Sequence, residues 1–232
     1  MEDINRLIGQ AIKGEDGKDY RIISARFVGS TVELKTEEIG VMKRKVVLNI
    51  GHGNTVNSKG QKVYDPGAIG NGFEEYKYNF DLVNKYIAPY LKERGVNHEV
   101  IIQSERFSKL PAEINTISTK DDIIVSFHLN SAASNMATGV ETFYYPTSIK
   151  GKELAQVMLE ANLRVTKLKS RGIKKNENGA RGHALFKNTK GVVTLVESGF
   201  ITNLNDIATL NAVMEDLGKS YAEAMIEYLN KK

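Results

Sequence analysis

From residue 45 onward, continuous apolar runs alternate with stretches whose apolar positions recur every three or four residues. KVVLNI over 45–50 is a β-branched apolar run that stops at Gly51, the pattern of a strand covered on both faces. NHEVIIQ over 97–103, DDIIVSFHL over 121–129, GVETFYY over 139–145 and VVTLVES over 192–198 read as further strands. The segment 74–94 has helical length, with Tyr76, Phe80, Val83, Ile87 and Leu91 at helical spacing. Pro89 inside it predicts a kink, because proline lacks the N–H that the helix needs. Residues 150–169 predict an amphipathic helix, and 205–230 one or two closing helices. Apolar strands separated by helices predict an α/β domain, a mostly parallel twisted sheet with helices on both faces.

The first forty residues follow another pattern. Residues 3–13 predict one short helix ending near Gly14. DYRIISARFV over 19–28 and TVELKTEE over 31–38 flank Gly29-Ser30, which predicts a hairpin with Gly first in a type II′ turn. The expected organisation is therefore a small helix-hairpin appendage over 1–41 and a catalytic domain over 42–232.

Composition narrows the chemistry. The 232 residues include no cysteine, no tryptophan and four histidines. Thiolate zinc sites, iron–sulfur clusters, disulfides and cysteine nucleophiles are excluded. A transition metal here must be held by histidine and carboxylate. The net charge of +4 is uneven: residues 1–41 hold six basic and eight acidic side chains, so the surplus belongs to the remainder. Such a domain suits polyanionic surroundings, but no dense basic stripe stands out, so nothing beyond the charge calls for nucleic acid. No 18-residue apolar run exists, so no membrane span is expected. The start, Met-Glu-Asp, has no charged-then-apolar leader, which leads to the expectation of synthesis in the cytoplasm without a signal peptide.

Polar residues gather at the carboxyl ends of the predicted strands, where open α/β sheets place their ligand sites. His52 follows the first strand in IGHGN, His128 closes another in SFHLNS, and Glu197 ends a third in LVESGF. A carboxylate at the end of a buried strand needs a cation, a proton or donors. Two histidines and a glutamate form an established zinc set with one open position. Glu74 and Glu75, after the Gly-rich DPGAIGNG of 65–72, are both candidates for the carboxylate ligand.

Four of these motifs carry a resemblance: GHGN followed by DPGA, NGFEEYKYNF, SFHLNS and VESGFITN, in this order over residues 46 to about 230. The chain resembles the zinc-dependent N-acetylmuramoyl-L-alanine amidases of the amidase-3 class, found in bacterial autolysins and phage endolysins. The resemblance implies an α/β fold and one zinc ion per chain held by His52, Glu75 and His128. Glu75 rather than Glu74 fits the family register, with Asn79 four residues on and then Phe80. It implies that Glu197 is the catalytic glutamate and not a ligand, and that Asn130 orients substrate or loop. The arginine that the family commonly carries before its second histidine is absent from PAEINTISTKDD, although Asn115 fits. His183, in ARGHALFKN, is expected to border the cleft and touch substrate, whereas His98 faces solvent. Arg181, Lys174 and Lys175 are candidates for drawing in stem-peptide carboxylates.

The implied reaction is hydrolysis of the amide between N-acetylmuramic acid and L-alanine, with Glu197 as general base and then acid. The partner is bacterial peptidoglycan, reached after release through a holin pore or mother-cell lysis. The competing readings are a zinc carboxypeptidase or endopeptidase cutting within the stem peptide, and an inactive wall-binding module.

Overall fold

The computed structural model describes residues 4–16, 19–38, 44–57, 59–103, 107–180 and 182–231. Near the amino terminus, β1 (Ala11–Lys13), β2 (Asp19–Val28) and β3 (Thr31–Glu38) form an antiparallel sheet in that order. β2 and β3 make the expected hairpin: Val28 faces Thr31, and Gly29 takes φ 63°, as the first central residue of a type II′ turn requires. The helix expected over 3–13 is not formed. Residue 3 lies outside the described residues, Ile4–Leu7 makes a single 3-10 turn, and Gly9 reverses the chain at φ 91°. Ala11–Lys13 then pair with β2, Ala11 opposite Arg21. So short a helix gains too little to persist, whereas an added strand occupies backbone groups that β2 would otherwise leave open. The expected boundary at residue 41 falls among 39–43, outside the described residues.

The larger unit begins with β4 (Val46–Ile50) and two small hairpins, β5 (Gly53–Val56) with β6 (Lys62–Asp65) and β7 (Ile69–Gly70) with β8 (Phe73–Glu74). Helix α1 (Glu75–Asp81) runs through a π-helical turn, Leu82–Ile87, into α2 (Ala88–Glu93). Next come β9 (His98–Ile102), α3 (Leu110–Ile117), β10 (Ile123–Asn130), β11 (Val140–Tyr144) and α4 (Ile149–Thr166). The chain finishes with β12 (Ser170–Lys175), α5 (His183–Asn188), β13 (Val192–Phe200), α6 (Leu204–Ala212) and α7 (Met214–Asn230). The expected kink at Pro89 takes the form of the π turn. Proline would clash with the carbonyl four residues back, and the widened turn, in which the Ala88 N–H reaches the Val83 carbonyl, lets the helix continue.

Six strands form the central sheet in the order β12-β11-β13-β10-β4-β9. β9, β4, β10 and β13 run parallel, β11 opposes β13, and β12 runs with β11. The sheet is thus mostly parallel, as expected. Its helical layers follow from the period-2 alternation of strands. Val46, Leu48, Ile50, Ile123, Val125 and Phe127 turn to one face, packed with Leu82, Ile87, Leu154, Met158, Leu217, Tyr221 and Met225 of the long helices. Val47, Ile124 and Val193 turn to the other face, where the short helices α3 and α5 supply Leu110, Ile114, Leu185 and Phe186. Asn49, Ser126, His128 and Glu197 share the parity of that second face. Its thin cover leaves the carboxyl ends of β4, β10 and β13 open as a cleft.

Candidate active site

Three adjacent strands deliver side chains to this cleft. β4 ends at Ile50, and the chain turns through Gly51, His52 and Gly53, with His52 at φ 67° and Gly53 at φ 96°. A histidine in the left-handed region stores local strain, of a kind that gathers at functional sites. Gly51 is required by space rather than by φ: a Cβ there would sit 2.2 Å from the His128 ring. At Gly67 a Cβ would meet His52 at 2.6 Å and Glu75 at 2.7 Å. These two glycines let backbone and ligands share one small volume.

Glu75, the first residue of α1, lies between the two imidazoles. Its Oε1 is 2.8 Å from His128 Nδ1 and accepts the Leu129 N–H at 3.1 Å. Its Oε2 accepts the Ala68 N–H at 2.8 Å and stands 3.3 Å from His52 Nε2. Glu74 points elsewhere, accepting the Tyr64 hydroxyl at 2.5 Å. Among the described residues, His52, Glu75 and His128 form a group whose ligand atoms all lie within 4.8 Å of one another. Two nitrogens and a carboxylate oxygen so placed fit a metal of borderline softness.

The electrostatics follow from this crowding. Burial alone would pull the His52 imidazole down, but Glu75 and then Asp65 outweigh it and raise its pKa to about 9. Burial alone would raise Glu75, yet hydrogen bonds from His128 and His52 hold it well below the usual carboxylate range. Asp65 is likewise lowered: burial opposes the shift, and His52 and the Gly67 N–H overcome it.

Each imidazole has a partner for its other nitrogen. His52 Nδ1 donates to Asp65 Oδ2 at 2.9 Å. His128 Nε2 meets the Ser126 hydroxyl at 3.2 Å, and Ser126 donates to Asn49 Oδ1 at 2.6 Å. Such partners fix which nitrogen faces a metal. The cleft around them has a volume of about 770 Å³. Thr55, Gln103 and Phe107 belong to its lining, as do Asn176, Leu185 and Glu197. Glu197 stands opposite His128 in the β10–β13 ladder, and opposite Glu141 in the β11–β13 ladder.

The other predicted residues divide. Asn130 lines the cleft, but its amide donates to Glu141 Oε1 at 2.6 Å. His183 is not among the lining residues; it stands behind Asn176, with Nδ1 3.0 Å from that residue's carbonyl oxygen. His98 begins the outer strand β9 and turns Nδ1 to the Val96 carbonyl. Lys174 and Lys175 are exposed on the edge strand β12, and Arg181 lies outside the described residues. Asn115 clamps α3 to the turn after α5, donating to the Asn188 carbonyl and accepting the Lys190 N–H.

Residues 46–227 match the amidase-3 family, described as N-acetylmuramoyl-L-alanine amidase. The chain belongs to this family. Over 201 residues it is 30% identical to the N-acetylmuramoyl-L-alanine amidase LytC of Bacillus subtilis strain 168, covering 82% of this chain and 37% of that protein. It therefore spans little more than a third of that relative's length. The catalytic domain of CwlV, an N-acetylmuramoyl-L-alanine amidase from Bacillus (Paenibacillus) polymyxa var. colistinus, aligns with TM-score 0.64 and 26% identity, covering 82% of this chain and 99% of that one. An N-acetylmuramoyl-L-alanine amidase from Clostridium difficile 630 shares the fold at TM-score 0.66 and 23% identity, over 82% and 98% of the two chains. The segment matched to the family begins at Val46, so the amino-terminal sheet lies outside it.

The groups that support the imidazoles do not stand out in the sequence. Asp65 was visible only as part of DPGA, and nothing local tied it to a histidine thirteen positions earlier. Asn49 and Ser126 did leave a signal. Each is a polar residue inside an apolar strand, and buried polar groups require partners.

Proposed function

We propose that the chain hydrolyses the amide joining N-acetylmuramic acid to L-alanine in bacterial peptidoglycan, with one zinc ion held by His52, Glu75 and His128. The convergence of two imidazoles and a buried carboxylate beside Glu197, in a chain of the amidase-3 family, carries this reading. Zinc bound there supplies a Lewis acid that polarises the scissile carbonyl and makes an attacking water more acidic. The protein's own part is positioning and proton transfer. Asp65 and Ser126 hold the imidazoles in register, and the cleft seats the lactyl-peptide junction. Glu197 takes a proton from the water and passes it to the alanine nitrogen as the C–N bond breaks. The products are a free lactyl carboxylate and a free amino terminus on the peptide. Residues 42–232 form the catalytic domain, and 1–41 an appendage to it.

Digestion of purified peptidoglycan followed by mass spectrometry tests the bond. New amino termini at alanine with intact glycan are expected; cuts within the stem peptide would overturn the assignment.

Two further outcomes follow from the site. Asp65→Asn removes the charge that orients His52 and should weaken zinc binding by about ten- to hundredfold, measured by competition with a chromophoric chelator. Unchanged affinity would remove Asp65 from this role. Zinc uptake should also depend on pH. In the metal-free protein His52 is raised above its ordinary 6.5 to about 9, so its pairing with Glu75 and Asp65 stabilises the fold fully below 6.5 and is lost as pH climbs through 9. A histidine ligand must be deprotonated to its neutral form. Uptake near pH 7 therefore expels a proton, and apparent affinity should rise about tenfold per pH unit up to about 9. Calorimetry in buffers of different ionisation heat reads the released proton directly.

A further inference from the structure

Glu141 is the second residue of β11 and stands directly opposite Glu197 in the antiparallel β11–β13 ladder. Paired residues across such a ladder share a face, with Cβ atoms about 4.5–5.5 Å apart, and like charges placed so repel. Two carboxylates thus meet at one edge of the cleft. What distinguishes them is how Glu141 is held. Its side chain is 9% exposed. Oε1 accepts the Asn130 amide at 2.6 Å, and Oε2 pairs with Arg171 Nε at 3.0 Å.

Two local irregularities aim those donors. In the β11–β12 pairing, Val140 faces Ser170 and Glu141 faces Gly172, so Arg171 is left unpaired between them. Gly172 takes φ 83°, which permits the bulge. In the β10–β13 pairing the register shifts between His128 and Asn130, so that Asn130 faces Phe200. Bulges re-aim side chains, and here both turn onto one carboxylate. The Arg171 guanidinium also lies 4.9 Å from the Phe200 ring centroid, linking β12 to β13 as well.

We propose that Glu141, clamped by Arg171 and Asn130, is a positioning residue for the amidase reaction. It fixes the strand ends that carry His128 and Glu197, and its charge is neutralised by Arg171 so that Glu197 keeps its place beside it. Both Glu141 oxygens are engaged, which leaves proton transfer to Glu197. This inference rests on the amidase reading above.

The test uses the zinc-loaded full chain and a soluble muramyl-peptide, reading kcat, KM, zinc content and Tm. Glu141→Ala should lower kcat roughly ten- to hundredfold, with one zinc retained and KM moved less than about threefold. Glu141→Gln keeps an acceptor for Asn130 and should recover a large part of that loss. Arg171→Met, which leaves the Glu141 charge facing Glu197, should lose more than Glu141→Gln, and the two together should be no worse than Arg171→Met alone. Equal kcat in Glu141→Ala and the parent, or a loss that follows zinc content, would overturn the proposal. If the alanine variant does not fold, Glu141→Gln and Arg171→Met carry the test, and strictly additive losses would overturn it. Failure of the amidase reading would show separately, as an absence of alanine amino termini in digests by the parent chain.

Discussion

Zinc-loaded Glu197→Gln protein is expected to hydrolyse peptidoglycan about 10²–10⁴ times more slowly than the parent chain. Gln preserves the volume and most of the packing of Glu197 on β13 but holds no proton-accepting carboxylate. The variant should therefore fold and bind metal normally, because the candidate ligand group of His52, Glu75 and His128 does not include Glu197. Metal analysis and dye-release lysis on one preparation separate the two properties. A Gln variant with near-parental lysis would move the proton-transfer role to another group, and one without zinc would make Glu197 a ligand.

Glu75→Ala should abolish zinc binding within the measurable range, a loss beyond the roughly ten- to hundredfold typical of supporting residues. Glu74→Ala should leave it intact. The neighbours differ by environment: Glu75 is 3% exposed and bonded to both imidazoles, whereas Glu74 accepts a surface tyrosine hydroxyl. Removing the Glu75 carboxylate also leaves the Ala68 and Leu129 N–H groups without their acceptor, at about 1–3 kcal/mol for each group that stays buried and unsatisfied. Glu75→Ala should therefore lower Tm as well. Glu75→Gln separates the effects, because its carbonyl oxygen still accepts a backbone N–H while its charge is gone. Thermal melts of metal-free proteins, read beside zinc titrations, give both numbers. Zinc loss in Glu74→Ala with retention in Glu75→Ala would reverse the ligand register.

The parts of this fold that were legible in the sequence are those whose pattern is local. β4, β10 and β13 are buried on both faces, so their apolar runs stand out. β12 was missed because SRGIKK is an edge strand with exposed charged residues and no apolar run to mark it. The start of the chain was misread because Ala11–Lys13 are strand only through pairing with β2, a contact that propensity does not contain. His52, His128 and Glu197 each follow or end a strand and could be placed on one rim. Choosing Glu75 over Glu74 needed the family register, since adjacent residues at a helix start look alike in composition. Asp65, Glu141 and Arg171 were silent for a common reason: each acts through a partner on another strand or loop, in geometry set by turns and bulges rather than by spacing.

The Glu75 carboxylate accepts backbone N–H groups from two separate segments, at Ala68 and Leu129. These donors anchor the candidate ligand to the fold itself, whereas in a zinc finger metal and fold arrive together. Stripping the metal with a chelator should silence lysis while leaving circular dichroism unchanged, and added zinc should restore activity without refolding. On the proposed function, a chain anchored this way would keep its fold without the metal, and adding or removing zinc would switch its activity without refolding it.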